Sequence, residues 1–210
     1  RAGSLAPEKV WRAVTLGDES VFTRPERGND TELSVDILLD ASASQIERQE
    51  SVSTQAYMIA ESLTRCGIPT RVYSFCTLNG CTVLRLYRDY EETNKNEAIF
   101  DYSAAGWNRD GLAFRAAGWM MRSSHCERRL LMILSDASPN DDRKLLVQET
   151  GKQELYRGQP GVLDSAAEVE KLRREGISVM CIFTGEDADL PSARRIYGRD
   201  LVRIRSIEQF

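Results

Sequence analysis

The 210-residue chain carries 41% hydrophobic and 29% charged residues, enough for one soluble domain with a sizeable core. Its net charge of −4 and pI near 5.3 give no electrostatic case for binding nucleic acid, and no apolar run approaches the ~20 residues of a membrane helix, so no insertion in a bilayer is expected. The five cysteines (Cys66, Cys76, Cys81, Cys126 and Cys181) are scattered, with no Cys-x-x-Cys pair; that excludes a zinc ribbon and a secreted disulfide framework and leaves reduced, buried thiols and a cytoplasmic location as the expectation.

Residues 1–30 are polar and mixed, a lead-in with a short helix expected over Pro7–Val14; residues 31–210 form the main domain. The chain starts at Arg1, as expected of the C-terminal part of something longer. The first strong strand is 33–39. Val52, Ala56, Ile59, Ala60 and Leu63 then recur at helical spacing, stopped by Gly67 and Pro69. Residues 70–76 read as a second strand and 81–87 as a third, antiparallel to it across Asn79-Gly80. A two-residue turn there sets Cys81 opposite Leu78; a four-residue loop sets it opposite Cys76. Residues 88–105 read as irregular. A helix over 110–121 has Leu112, Ala113, Ala116, Trp119 and Met120 as its apolar stripe, and 130–135 is a buried strand. Residues 137–160 read as a long polar insertion. A helix near 161–175, a buried strand over 177–184, a short helix near 190–197 and a strand near 201–204 complete the chain. Strands alternating with helices, the inner strands continuously apolar, predict a three-layer α/β sandwich: a mostly parallel sheet, one antiparallel edge strand, helices on both faces.

In such sheets ligands bind at the carboxyl ends of the strands. After the first strand come Asp40, Ser42 and Ser44, three oxygen side chains at alternate positions, suited to a hard divalent cation. Asp136 follows the strand at 130–135, and Gly106-Trp107-Asn108-Arg109-Asp110-Gly111 opens the intervening helix. All three segments can meet at one sheet edge. Taken singly, Asp40 and Ser44 serve equally well as helix caps and Asp136 as a turn residue. Trp107 reads as a packing residue.

These segments resemble the metal-ion-dependent adhesion site of the von Willebrand factor A domain. Asp40, Ser42 and Ser44 match its Asp-x-Ser-x-Ser element and Asp136 its strand-closing Asp; Asn108 falls where a Thr is usual, with Asp110 a second candidate for that role. Ala43, Gln45 and Ala137 depart from the usual Gly, Met and Gly, and none of these removes a ligand oxygen. A narrower resemblance, carried by Asn108-x-Asp110-Gly111, by Ser135-Asp136-x-x-Pro139-Asn140-Asp141 and by Val21-Phe22-Thr23-Arg24, is to the A domains of the nitric oxide reductase activation protein and the cobaltochelatase accessory subunit.

The resemblance implies a non-catalytic, Mg²⁺-dependent (or Mn²⁺- or Ca²⁺-dependent) protein-interaction domain. It implies work beside a MoxR-type AAA+ ATPase on a target metalloenzyme, with a partner's acidic side chain completing the metal's coordination. Asn140, Asp141 and Tyr156, in the insertion next to the site, are expected to contact the partner. A metal-assisted phosphoesterase and an extracellular adhesion domain are the alternatives. Position 42 is Ser, where a haloacid-dehalogenase-type phosphatase needs Asp; no phosphate-binding loop occurs, and His125 is the single histidine, with no nucleophile elbow.

Overall fold

The computed structural model describes residues 4–5, 22–23, 33–147 and 151–203. The chain divides into two units, Arg1–Asp30 and Thr31–Phe210. In the first, Ser4–Leu5 (β1) pairs antiparallel with Phe22–Thr23 (β2). The helix expected over 7–14 lies outside the described residues.

In the second unit, Leu33–Asp40 (β3) is buried on both faces and takes the centre of a six-stranded sheet. The order is β10-β9-β6-β3-β4-β5, built from Thr70–Leu78 (β4), Cys81–Arg88 (β5), Arg128–Ser135 (β6), Ile177–Phe183 (β9) and Leu201–Arg203 (β10). All neighbours are parallel except β4 and β5. The β4–β5 connection is the two-residue turn, with Leu78 opposite Cys81 and positive φ at both Asn79 (51°) and Gly80 (76°). That register sets Cys76 opposite Val83, and all five cysteines are free. Cys66 and Cys81 are exposed, against the expectation of buried thiols.

Gln49–Arg65 (α1) buries Val52, Ala56 and Ala60 against Val35, Ile37 and Leu39 on one face of the sheet. Asp110–Met120 (α2), Gln159–Arg174 (α3) and Leu190–Tyr197 (α4) cover the other face, around Leu38, Leu131, Ile133 and Cys181. The α2 stripe differs from the sequence expectation. Ala113, Phe114, Ala117 and Met121 face the core, while Leu112 is exposed and Trp119 is 70% exposed. Two overlapping stripes are available on this helix, and the one buried is the one that meets α3, where Leu172 fills the space a Cβ on Gly118 would need. Residues 88–105 are also more ordered than their composition suggests. Asn96–Asp101 forms a 3-10 helix, and the buried Arg88 donates to Asn96 Oδ1 (2.8 Å) and Thr64 Oγ1 (2.7 Å).

The insertion at 137–160 is a β-hairpin, Asn140–Val147 (β7) paired with Lys152–Arg157 (β8), with a register shift between Asn140 and Lys144. Its side chains are mostly exposed, so neither strand shows the alternation that reveals a half-buried one. Tyr156 is one of its anchors. The buried Tyr156 hydroxyl accepts from Gly111 N (2.9 Å) and donates to Asp164 Oδ2 (2.9 Å), bracing the start of α2 against α3. A second network ties down the opposite end of α2. Arg71 donates to Met120 O (3.0 Å), Ser123 Oγ (2.8 Å) and Asp89 Oδ1 (2.8 Å). Its guanidinium lies over Tyr90 (4.2 Å to the ring centroid) and 3.8 Å from the buried Asp36, which also accepts from the Tyr90 hydroxyl.

Two predictions follow from this packing. Burial pushes the Asp36 pKa from 3.8 up to about 6, against the pull of Tyr90 and Arg71. The folded chain therefore takes up that proton first, and the group's contribution to stability is full below pH 4 and lost as pH rises toward 6. Urea unfolding of wild type and Asp36→Asn should show their stability difference moving against wild type by up to about 3 kcal/mol across that interval; a pH-independent difference refutes the shift. Gly111→Ala should destabilise, by about 1–3 kcal/mol, because the new Cβ overlaps Asp164 Oδ2 and presses on the Tyr156 hydroxyl. Elsewhere in a helix the same change gains about 1 kcal/mol, so a stabilised variant on thermal unfolding would show that the brace is slack.

Candidate metal centre

The end of β3 delivers Asp40 fully buried to the carboxyl edge of the sheet. Both carboxylate oxygens are held: Oδ1 accepts from Ser42 N (2.9 Å) and Oδ2 from Ser135 Oγ (2.9 Å). Its backbone carbonyl accepts from the Tyr102 hydroxyl. The chain then turns into a 3-10 helix, Ala43–Arg48, without a side-chain cap from Ser42. Ser42 Oγ instead lies 3.0 Å from Ser44 Oγ. Asp136 does close a turn, accepting from Ser138 N (3.1 Å). Asp40 and Ser44 do not cap the following helix: Ser42 stands at its N-cap, and Asp40 closes an Asx turn through Ser42 N.

Asn108 arrives on a separate strap. Its backbone N and O pair with Asn140 O and N (2.9 and 3.0 Å), and the preceding Trp107 pairs with Thr77 (2.6 and 3.0 Å). Asn108 Oδ1 accepts from Asn140 N (3.0 Å), while its amino group donates to Asp110 Oδ1 (3.0 Å) and Ser138 O (3.2 Å). Asp110 is fully buried, and its Oδ2 has no partner. The two candidates for one role are therefore different in kind. Asn108 lines the surface cleft, whereas Asp110, like Asp40 and Asp136, lies behind its lining and accepts from the Asn108 amide.

The carboxylates perturb one another. Burial, then the charge of Asp136, pushes Asp40 up to about 7. Burial, then Asp40 and Asp136, holds Asp110 well above the usual carboxylate range, and burial also raises Asp136. Clustered, desolvated carboxylates that raise one another's pKa are what a cation would relieve. Among the described residues no three His, Cys, Asp or Glu side chains are placed to hold an ion by themselves, so a cation here must also draw on hydroxyl and amide oxygens. The residues present fit one in that mixed form: Ser42, Ser44 and Asn108 border a cleft of about 380 Å³, and Asp40 and Asp136 lie behind its lining, bonded to Ser42 N and Ser138 N.

Of the residues expected at a docking surface, Asn140 lines the cleft, but Asp141 and Tyr156 are buried. Tyr156 is the internal brace described above. Asp141 lies 3.9 Å from the Arg109 guanidinium, which also sits over the Tyr156 ring (5.1 Å). Ser135 and Tyr102, which hold Asp40, have no role in the sequence reading. Ser135 leaves a trace as a polar residue closing an apolar strand; Tyr102 leaves none. Trp107, read as packing, is 46% exposed and lines the cleft.

No family model matches the chain. It is 27% identical over 164 residues, 76% of its length, to an uncharacterized protein of Pseudomonas aeruginosa, and 27% identical over 135 residues, 62% of its length, to Protein NorD of Stutzerimonas stutzeri. It spans 24% and 20% of those two proteins. Among solved structures it resembles the vWF domain of the type V pili tip protein Mfa5 from Porphyromonas gingivalis, with a TM-score of 0.63 at 10% identity, covering 83% of this chain and 90% of that one. At that identity the likeness is one of fold: the second unit of this chain has the α/β architecture of a von Willebrand factor A domain, and Protein NorD is a distant relative.

Proposed function

We propose that the domain binds a divalent cation, Mg²⁺ by preference, and through it an acidic side chain of a protein partner. The observation that carries this is the convergence of Asp40, Ser42, Ser44, Asn108 and Asp136 at one sheet edge, with carboxylates near enough to raise one another's pKa. Asp40, Asp136, Ser42, Ser44 and Asn108 would hold the ion, and Asp110 would set the Asn108 amide. When bound, the ion supplies a positive centre that takes an oxygen ligand from outside. The chain's own residues orient the site: Ser135 and Tyr102 immobilise Asp40, and the Asn108–Asn140 pairing holds the second strap in place. Two carboxylates and three neutral donors fill five positions, which leaves the sixth of an octahedral ion for an oxygen from outside, such as a partner's carboxylate. No positioned base accompanies the cluster among the described residues, so we infer a binding module and not an enzyme.

The distant relation to Protein NorD supports a role in an accessory protein of that kind. On this reading the domain serves beside a MoxR-type AAA+ ATPase in activating a target metalloenzyme, in the cytoplasm. The likeness to pilus tip proteins supports an adhesion role only as far as a shared fold does.

Mg²⁺ at ten times its dissociation constant should raise the melting temperature of wild type by about 3–6 °C. Asp40→Asn, which keeps the turn acceptor for Ser42 N and removes a buried charge, should fold as stably without metal and show no Mg²⁺ shift. An equal shift in both proteins would refute the site. Binding of the MoxR-type ATPase, measured by co-sedimentation, should be lost in EDTA and in Asp40→Asn; retention in both would refute the proposed role.

A further inference from the structure

Trp107 is the cleft residue that cation binding does not use. Its backbone cannot withdraw the indole from water. Two hydrogen bonds tie it to Thr77 and two more tie its neighbour Asn108 to Asn140. Gly106 before it sits at φ 71°, so close to Thr77 and Leu78 that any Cβ would strike them. A large aromatic held half-exposed on a clamped backbone is the usual form of a binding anchor, because little ordering entropy remains to be lost on contact.

The cleft it lines has two unlike walls. Ser42, Ser44, Asn108, Ser138 and Asn140 form the polar one, and Ala43, Gly106 and Trp107 the apolar one. Its volume of about 380 Å³ equals on the order of ten waters. A single carboxylate displaces only a few of these, so an acid alone leaves the apolar wall wet. Leu78, packed against Gly106, is itself exposed, and the exposed Arg143 guanidinium lies beside the adjoining Asn79-Gly80 turn. The surroundings of the apolar wall thus suit a segment that is both apolar and anionic.

We propose that Trp107 is a specificity-determining residue. On this view, which rests on the cation-dependent reading above, the cleft takes an Asp or Glu presented next to a large aliphatic side chain that packs on the Trp107 ring. An acid flanked by small or polar residues is bound poorly.

The test compares acetyl-Leu-Asp-Leu-amide with acetyl-Gly-Asp-Gly-amide, titrated in Mg²⁺ by ¹H–¹⁵N NMR against the whole chain. Wild type should bind the leucine peptide about tenfold more tightly. In Trp107→Ala the two peptides should bind within about twofold of each other, with Mg²⁺ binding unchanged. Trp119→Ala, at the far end of α2, should keep the full preference. No preference in wild type, or the same preference in Trp107→Ala, overturns the proposal while leaving the cation site standing. Binding of either peptide that survives EDTA and Asp40→Asn, or no Mg²⁺-dependent binding at all, overturns the cation-dependent reading and this proposal with it.

Discussion

The structure turns on the burial of one carboxylate. Asp40 leaves the middle strand of the sheet with no access to solvent, and four neighbouring segments meet its needs. Ser42 N comes from the following turn, Ser135 from β6 and the Tyr102 hydroxyl from beyond β5, while Ala41 N continues the ladder to Phe75 of β4 (2.8 Å). A buried acid is costly unless it is paired or stays protonated. Here nearly every partner is neutral and the nearest charges are other carboxylates, which is why its pKa rises to about 7. A site built to stabilise the fold would set an arginine there. Asp36, four residues earlier on the same strand, has one in Arg71.

That contrast divides the domain. Toward the amino edge of the sheet, Arg71, Asp89, Tyr90 and Asp36 make a knot in which one arginine serves two carboxylates and ties β4, the end of β5 and the end of α2 together. At the carboxyl edge the charges are left unbalanced and the backbone is clamped instead, through Thr77–Trp107 and Asn108–Asn140. α2 spans both, so the Arg71 knot and the Tyr156 brace fix the helix that carries Asp110. The functional edge therefore gets its rigidity from hydrogen bonds and packing, and its electrostatic tension is left for a ligand to relieve.

Much of the sheet was legible because its inner strands are continuously apolar and its helices keep a 3.6-residue period, as at Val52, Ala56 and Ala60. Local chemistry at Asn79-Gly80 was enough to place the edge hairpin, yet not its register: two loop lengths fit the residues, and positive φ at Asn79 and Gly80 chose between them. The β7–β8 hairpin was hidden, since strands exposed on both sides carry no period-two signal. The α2 face was misread because Trp119 and Leu112 are more hydrophobic than Ala113 and Ala117. Which stripe is buried depends on where α3 packs, a property of another segment.

The sequence by itself determined the strand-end positions of Asp40, Ser42, Ser44 and Asp136, because buried strands must stop somewhere and polar residues mark the place. It also determined the alternation that makes the sheet parallel. Only the tertiary structure decided that Asn108 lines the cleft while Asp110 stands behind it, that Tyr156 and Asp141 are internal, and that Trp107 faces water. These are contacts between segments thirty or more residues apart, or the exposure such contacts leave. No local spacing encodes them, since each depends on where a second chain segment comes to rest.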